Sequence, residues 1–135
     1  MTSDFTLSVM LAVPDAPAAS AWYRKALGAE ELWNLGSVIG LRFHNVVFFL
    51  GQPENNGWET PATVGTTTTR IEVFVDEPDA VIDRAIEAGA TGDPDGTRNH
   101  QAPWGIHRQG GFTDPCGHRW LVGDTSPLQP HPTEQ

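Results

Sequence analysis

The sequence predicts an α+β fold in which two βαβββ repeats form a curved mixed sheet with helices on its convex side. A strand pattern followed by a helix pattern that ends in glycine appears at 6–28 and again at 70–90. Recurrence of such a unit after about half of the chain indicates an internal duplication. Asp-Pro-Cys-Gly at 114–117 stands between two apolar runs, and this composition is typical of a β-hairpin turn. Because a lone hairpin is barely stable, we expect it to join a larger sheet.

The composition is that of a globular domain. The 135 residues are 39% hydrophobic and 19% charged, and a chain of this length can bury a core without disulfides or metals. We therefore expect a single domain over 1–135. Its predicted parts are repeat one at about 5–51, a loop at 52–67, repeat two at about 68–124 and a tail at 125–135.

The charge balance excludes two classes of partner. The formal net charge is −9 at pH 7, whereas nucleic acids and anionic membranes require a basic face. No apolar run is long enough to span a membrane, and Met1-Thr2-Ser3-Asp4 places no basic region before an apolar one. We therefore expect no anchor, no signal peptide and a cytoplasmic location. The single Cys116 cannot form an internal disulfide, and its place in the hairpin turn favours a structural role.

The first repeat begins with a predicted strand at 6–13, where large aliphatic residues alternate with mostly small or polar ones. The row that we expect to face the helices is Leu7, Val9, Leu11 and Val13. Pro14-Asp15 should end the strand and start a helix that stops at Gly28. Three strands are predicted next, at 31–35, 37–43 and 46–51.

The segment 52–67 lacks periodicity and is rich in turn-forming residues, so we expect a connecting loop. Trp58 lies inside this loop. A large aromatic residue in a polar loop either pins the loop to the body of the protein or lines a cavity. The sequence leaves both interpretations open.

The second repeat is predicted to start with a strand at 70–75 and an amphipathic helix at 78–90. The apolar stripe of this helix is Val81, Ile82, Ala85 and Ile86. The Gly/Pro/Asp-rich passage at 92–103 should be irregular. Strands are expected at 105–112 and 119–124, followed by an irregular tail from Ser126.

Two segments resemble the vicinal oxygen chelate superfamily, which includes glyoxalase I, bleomycin-resistance proteins and extradiol dioxygenases. The run from Asp114 to Trp120, Asp-Pro-Cys-Gly-His-Arg-Trp, resembles its closing hairpin. The run from Val13 through Glu30 resembles its opening strand-helix unit. The resemblance covers about residues 5–124 and implies a half-barrel cleft as the ligand site. Bleomycin-resistance proteins sequester a drug, commonly as dimers with shared clefts, so the resemblance also implies a homodimer.

Metal-dependent members of that superfamily hold a divalent cation with four side chains, typically His and Glu. The residues at those positions here are Ser8, Phe49, Arg70 and Leu121. A hydroxyl, two apolar side chains and a permanent cation do not make a metal site, which needs several N or O donors. The resemblance therefore implies the non-metal-binding branch, and we expect neither a metal nor another cofactor.

The even-numbered residues of the first strand of each repeat should line the concave face. Matching 50–51 to 122–123 sets the phase of the hairpin strands and puts Phe49 and Leu121 on the same face. Arg70 and Glu72, two apart on one strand face, are expected to pair at the floor of the cleft. His107 shares a strand face with Gln109, but no partner group for proton transfer is visible in the sequence.

These residues predict a small-molecule-binding protein that takes an aromatic or antibiotic-like ligand in the concave cleft without metal. Its candidate stacking residues are Trp33, Trp58 and Trp104. The predicted ligand-binding set is Ser8, Met10, Trp33, Phe49, Trp58, Arg70, Glu72, Trp104, His107 and Leu121.

Two alternatives remain open at this stage. One is a metal-independent enzyme of the same superfamily, of the lyase or isomerase kind, in which Arg70 stabilises an anion and His107 or Glu72 moves a proton. The other is an interaction protein in which Arg70 and Glu72 merely pair. The sequence assigns no catalytic residue.

Overall fold

The computed structural model describes residues 4–131. Residues 1–3 and the end of the predicted tail, 132–135, lie outside the described part. The strands are β1 (Met10–Ala12), β2 (Glu30–Asn34), β3 (Val38–Phe43), β4 (Val46–Gly51), β5 (Arg70–Phe74), β6 (Thr91–Gly92), β7 (Arg98–Ala102), β8 (Gly105–Thr113) and β9 (Arg119–Gly123). The helices are α1 (Ala16–Leu27), α2 (Pro61–Val64), α3 (Pro78–Glu87) and a 3-10 turn (Ser126–Leu128).

The predicted α+β fold with two βαβββ repeats is confirmed. The strands form two mixed sheets, one in the order β1-β4-β3-β2 and one in the order β5-β9-β8-β6 with β7 also paired to β8. These two sheets do not close into a barrel. Each long helix packs on the sheet of its own repeat, and α1 also contacts α3. No helix among residues 4–131 is both long and apolar enough to cross a membrane.

The first repeat forms as the turn chemistry predicts. Asp15 caps α1 by accepting a hydrogen bond from the backbone N–H of Ala18 at 3.1 Å, which satisfies one of the free N–H groups of the first turn. Gly28 ends the helix with φ 72°, a left-handed conformation that glycine adopts without strain. The prediction of this helix and of the three strands after it is therefore confirmed.

The first strand is shorter than predicted. Only Met10–Ala12 pairs as a strand, in parallel with β4. The hydroxyl of Ser8 bonds the carbonyl oxygen of Val47, and a side chain that occupies a backbone acceptor competes with strand pairing. The assignment of Leu7 to the helix-facing row is wrong, since Leu7 is 85% exposed.

The predicted phase of the hairpin strands is confirmed by the pairing registers. Met10 lies opposite Phe49 in one sheet, and Glu72 lies opposite Leu121 in the other. The alternate residues Phe48, Leu50, Trp120 and Val122 are buried in the core. The two sheets therefore present equivalent rows on the face away from the helices.

Three segments differ from the sequence prediction. The loop at 52–67 contains the short helix α2, which Thr60 caps and Gly65 ends. The passage at 92–103 contains β6 and β7, and the tail contains the 3-10 turn. Among residues 4–131 the strand β7 pairs only with β8, and its sequence is Arg-Asn-His-Gln-Ala. An edge strand without a buried face carries no apolar alternation, so the periodicity could not reveal it.

The helix stripe of α3 is confirmed except at its last member. Ile82 and Ala85 are buried, and Val81 packs against the core. Ile86 is 41% exposed and lies over Gly92 of β6, where a Cβ would stand 2.7 Å from its terminal methyl. Ile86 therefore packs on the short strand β6, which the sequence did not predict, instead of on the buried core.

Candidate functional site

An aromatic platform occupies the face of the first sheet that points away from the helices. We use this name for Met10, Trp33, Phe49 and Trp58. The ring centroids of Trp33 and Phe49 lie 5.8 Å apart with planes inclined by 32°. Trp33 is 40% exposed and Met10 is 44% exposed. A partly exposed group of one thioether and three rings offers a flat apolar surface to a planar molecule.

Two glycines make room for the platform. A Cβ at Gly40 would stand 2.6 Å from the Trp33 ring, and a Cβ at Gly51 would stand 2.9 Å from the Met10 sulfur and 3.2 Å from the Trp58 ring. Side chains at these two strand positions would therefore lift the indoles off the sheet. Gly40 and Gly51 allow the rings to lie directly on the backbone.

A bulge in β2 turns Trp33 onto this face. The register between β2 and β3 shifts between Glu31 and Trp33. Glu31 faces α1, where it accepts a hydrogen bond from the Ser20 hydroxyl at 2.7 Å. In a regular strand, residues two positions apart lie on the same face, so without the bulge Trp33 would lie on the same face as Glu31. The irregular strand is what brings Trp33 to the platform.

Trp58 fulfils both roles that the sequence left open. Its ring lies against Gly51, so it fixes the loop to the sheet. It also lines a cavity of about 320 Å³ between β1 and the 59–69 segment, together with Met10 and the threonines that precede β5. This cavity is a concave space at one side of the platform.

The second sheet presents a polar face instead. Arg70 lies opposite Arg119, and Glu72 lies opposite Leu121. Arg119 donates a hydrogen bond at 2.6 Å to Asp93, and both side chains are partly buried. Asp93 and Leu121 also line a cavity of about 190 Å³. The two faces therefore differ in chemistry, although their strand registers are equivalent.

The expected pairing of Arg70 with Glu72 is wrong. Within residues 4–131 neither side chain makes a hydrogen bond or an ion pair with the other, and both are exposed. Water solvates an exposed guanidinium, so the desolvation cost that would force pairing is not paid. The Arg70 side chain is exposed to solvent. Glu72 lines neither of the two cavities described above. It lines a groove of about 390 Å³ between the β3–β4 turn and β5.

His107 is held by a carboxylate that the sequence did not single out. Its Nδ1 lies 2.7 Å from Asp124 Oδ1, and its side chain is 11% exposed. Asp124 also accepts hydrogen bonds from the Ser126 hydroxyl at 2.7 Å and from the Arg108 backbone N–H at 2.9 Å. These donors hold the pKa of Asp124 well below its usual range. The carboxylate is therefore ionised and accepts a hydrogen bond from the Nδ1–H group of His107.

Trp104 does not join the aromatic platform. Its indole N–H donates to the Ser126 hydroxyl at 3.0 Å, and its ring stacks on His131 with centroids 4.6 Å apart. The tail that the sequence predicts as irregular folds back over this tryptophan. One of the three predicted stacking residues is therefore engaged by the chain itself.

The four positions that correspond to metal ligands carry no converging donors. The Ser8 hydroxyl is bonded to a backbone carbonyl, Phe49 and Leu121 are apolar, and Arg70 faces a second arginine. Among residues 4–131 no group of three or more His, Cys, Asp or Glu side chains is placed to hold a metal ion. The donor chemistry at these positions does not fit a divalent cation.

The residues that sequence reasoning missed are Asp124, Asp93 and the two glycines under the platform. The signal for Asp124 was present, because His107 and Asp124 lie near the open ends of two strands joined by one predicted hairpin. Counting outward from that turn would have placed them near each other. No sequence signal indicates the bulge that brings Trp33 over Gly40.

The family model of the glyoxalase-like domain matches residues 8–122. An uncharacterized protein of Mycobacterium tuberculosis (strain ATCC 25618 / H37Rv), Rv0887c, is 35% identical over 127 aligned positions, and the match covers 87% of this chain and 72% of the relative. The uncharacterized protein Mb0911c of Mycobacterium bovis is also 35% identical, over 87% of this chain and 81% of its own length.

Solved structures share the fold at low sequence identity. TioX from Micromonospora sp. ML1 superimposes with a TM-score of 0.69 at 22% identity, covering 90% of this chain and 98% of that one. A glyoxalase/bleomycin resistance protein from Albidiferax ferrireducens T118 gives 0.68 at 19% identity, covering 87% and 96%. The fosfomycin resistance protein FosX from Mesorhizobium loti gives 0.62 at 13% identity, covering 96% and 100%.

Proposed function

The chain belongs to the glyoxalase-like domain family, within the vicinal oxygen chelate superfamily, and we propose that it is a small-molecule-binding protein whose ligand is a planar aromatic compound. The observation that carries the proposal is the aromatic platform, in which two indoles lie directly on the backbone at Gly40 and Gly51. Glycine in a strand interior lowers the stability of the fold. Two glycines under two tryptophans therefore favour a functional role for the flat surface.

The chemistry of the two sheets suits a molecule with an aromatic body and a polar end. Stacking on Trp33 and Phe49 contributes about 0.5–1.5 kcal/mol for each aromatic pair beyond the area that it buries. Arg70, which has no side-chain partner among residues 4–131, supplies a charge-assisted hydrogen bond to a carbonyl or carboxylate. Antibiotics with fused aromatic rings belong to this class, and their sequestration would confer resistance. A cytoplasmic site of action, expected from the sequence, is part of the proposal.

Binding without metal is also part of the proposal. Its support is the donor chemistry at the four positions, where only the Ser8 hydroxyl is a neutral oxygen donor and that hydroxyl already bonds Val47. Elemental analysis of the dialysed protein tests it. We expect well under about one equivalent of zinc, nickel, iron or manganese per chain, and a full equivalent would contradict this part.

We propose that the protein works as a homodimer. Phe5 and Leu7 precede β1 and are 94% and 85% exposed, and β1 and β5 each have one edge that is unpaired within the described residues. We call the segment with Phe5 and Leu7 the apolar arm. Monomeric proteins rarely expose such a segment to solvent beside two unpaired strand edges. A second copy covers it most simply, because an isologous contact protects both arms at once.

A second candidate function is favoured by one specific observation. The pairing of His107 with Asp124 is the arrangement of an oriented histidine in proton transfer, which the sequence alone did not provide. An enzyme of the superfamily that uses Arg70 for anion stabilisation and His107 or Glu72 for proton transfer therefore remains the alternative. Turnover of a bound compound separates the two functions.

The proposal is tested by titration with a panel of four compounds: bleomycin, daunorubicin, 4-nitroanisole and 4-nitrophenol. Calorimetry and tryptophan fluorescence should detect saturable binding of at least one of them. Trp33→Leu should weaken that binding about tenfold or more, while the matched Trp104→Leu should change it less than about twofold. Equal affinities of wild type and Trp33→Leu would exclude the platform as the site.

A further inference from the structure

The strand β1 has one edge paired with β4 and one open edge, which is unpaired among residues 4–131. On the paired edge, the carbonyl oxygen of Val9 accepts a hydrogen bond from the Phe49 N–H at 2.9 Å. Successive residues of a strand direct their backbone N–H and C=O groups to opposite edges. The backbone groups of Met10 and Ala12 therefore point to the open edge.

One of these backbone groups confirms the direction of the open edge. The Ala12 carbonyl oxygen accepts a hydrogen bond at 2.7 Å from Nε2 of His118, which belongs to the β8–β9 turn. The N–H and the carbonyl of Met10 and the N–H of Ala12 have no hydrogen-bond partner in the described part of the chain. Ala12 is only 3% exposed, and buried backbone N–H groups are almost always paired with protein, water or a ligand. The Ala12 N–H is therefore a buried donor whose partner is not another group of residues 4–131.

The open edge forms one wall of the cavity of about 320 Å³ beside the aromatic platform. Another wall is the 59–69 segment, with its threonines at 66–69. Met10 and Trp58 belong both to the platform and to the lining of this cavity. A planar molecule stacked on the platform therefore has room to extend a substituent along the edge of β1.

The unpaired backbone groups select the chemistry of that substituent. The Met10 carbonyl needs a donor and the Ala12 N–H needs an acceptor. An amide chain supplies both, because a residue placed opposite Leu11 in the parallel direction donates its N–H to Met10 and accepts at its C=O from Ala12. A carboxylate has no donor and an ammonium group has no acceptor. Glu59 is the one Asp, Glu, Lys or Arg among the described residues that line the cavity, so the lining does not favour an anion.

We infer that the cavity holds an amide-bearing chain of the ligand, which pairs with β1 as one residue of an added strand. The aromatic part lies on the platform, and the two hydrogen bonds to Met10 and Ala12 fix the direction in which the chain leaves it. The inference rests on the proposed function, because it requires an aromatic molecule on the platform. It narrows the ligand class to planar aromatic compounds that carry a peptide-like chain.

The test compares two probes by calorimetry: 2-naphthoylglycine N-methylamide, and its ester analogue, in which an oxygen atom replaces the glycine N–H. The wild type should bind the amide at least about fivefold more tightly, because the ester lacks the donor and places an oxygen against the Met10 carbonyl. Ala12→Pro removes the donor of the other hydrogen bond, and proline is tolerated on an edge strand. This variant should weaken the amide probe about fivefold and should leave the affinity for 4-nitroanisole, which has no amide, within about twofold of wild type.

A measurement on the wild type does not depend on a variant that folds. With the amide probe bound, nuclear Overhauser contacts should join the glycine protons of the probe to the backbone N–H groups of Met10 and Ala12, and the Ala12 N–H proton should shift downfield. The Leu11 N–H faces β4 and should show neither effect. In the ligand-free protein, such contacts from Ala12 to a second copy of the chain would overturn the inference.

The remaining outcomes separate the inference from the proposed function. Equal affinities for the two probes, with shifts of the Trp33 and Trp58 indole signals but no contact to Ala12, would overturn the inference while the proposed function stands. Failure of both probes to bind at millimolar concentration would also overturn the inference. The proposed function is then decided separately by the four-compound panel.

Discussion

The hydroxyl of Tyr23 in α1 donates a hydrogen bond to the carboxylate of Asp114, a buried residue 91 positions away at the start of the β8–β9 turn. The same carboxylate accepts the Trp120 indole N–H at 2.9 Å and the backbone N–H groups of Cys116 and His118 at 3.0 Å each. Asp114 therefore fixes its own turn and joins the helix of the first repeat to the hairpin of the second. Through this carboxylate the hairpin motif fixes β8 and β9 of the second sheet relative to α1.

We predict that Tyr23→Phe lowers the free energy of unfolding by about 2 kcal/mol, because it removes a hydrogen bond to a buried charged acceptor. Urea unfolding at pH 7 measures the change. Ser20→Ala is the matched control in the same helix, since its hydroxyl bonds Glu31, whose side chain is 25% exposed. The control should lose less than about 1 kcal/mol. Equal losses in the two variants would contradict the role assigned to Asp114.

The same tyrosine predicts a pH dependence. Burial, with the nearby Asp114 carboxylate, raises the pKa of Tyr23 well above 10.0. A phenol whose pKa is higher in the folded state contributes stability that is fully present below about pH 10 and is lost as the pH rises further. The stability advantage of wild type over Tyr23→Phe should therefore shrink between pH 9 and about pH 11. An advantage that stays constant over this range would show that the folded-state pKa is not raised.

How much of the site the sequence could predict depends on whether the local backbone is regular. The faces of Phe49 and Leu121 follow from strand alternation and turn position, and the registers confirm them. Trp33 is predicted from the sequence as a stacking residue, and its place over Gly40 depends on a bulge in β2. A bulge reverses the faces of the residues beyond it, and strand periodicity contains no signal for it.

Packing between parts of the chain that are far apart in sequence explains the other differences between the predicted and the observed site. Trp104 was expected to meet a ligand, but residues 126 and 131 fold back onto it, and an irregular tail gives no sequence signal of where it docks. Arg70 was expected to pair because a buried guanidinium needs a partner. The exposure of its position removes that need, and exposure is set by the packing of whole elements rather than by neighbours in the chain.

We predict that Arg70→Met leaves the melting temperature within about 1 °C of wild type, since Arg70 is exposed and makes no side-chain contact with a carboxylate in the described part of the chain. Its affinity for a panel compound with a carbonyl or carboxylate should fall about tenfold, as for loss of a charge-assisted hydrogen bond. Arg98→Met is the matched control, because Arg98 lies on β7 with an exposed 3.9 Å ion pair to Asp95. Calorimetry that gives equal affinities for wild type and Arg70→Met would exclude Arg70 from the site.

We predict that Leu7→Ser weakens self-association, because the proposed dimer covers the apolar arm before β1. Wild type should sediment as a dimer at micromolar concentration, and the variant should shift toward monomer with a dissociation constant at least about tenfold higher. Leu35→Ser is the matched control, since Leu35 is also highly exposed, at 74%, but lies in the β2–β3 turn. A monomeric wild type, or equal dissociation constants for the two variants, would contradict the dimer.

The most direct measurement is a titration of the five indole N–H signals in a ¹⁵N–¹H correlation spectrum with the tightest-binding panel compound. The five tryptophans differ in position: Trp33 and Trp58 belong to the platform, Trp22 and Trp120 pack in or against the core, and Trp104 is bonded to Ser126. Binding on the platform should shift the Trp33 and Trp58 signals with one common dissociation constant and leave the other three nearly unchanged. Saturable binding that shifts only Trp104, or none of the five, would contradict the aromatic platform as the ligand site.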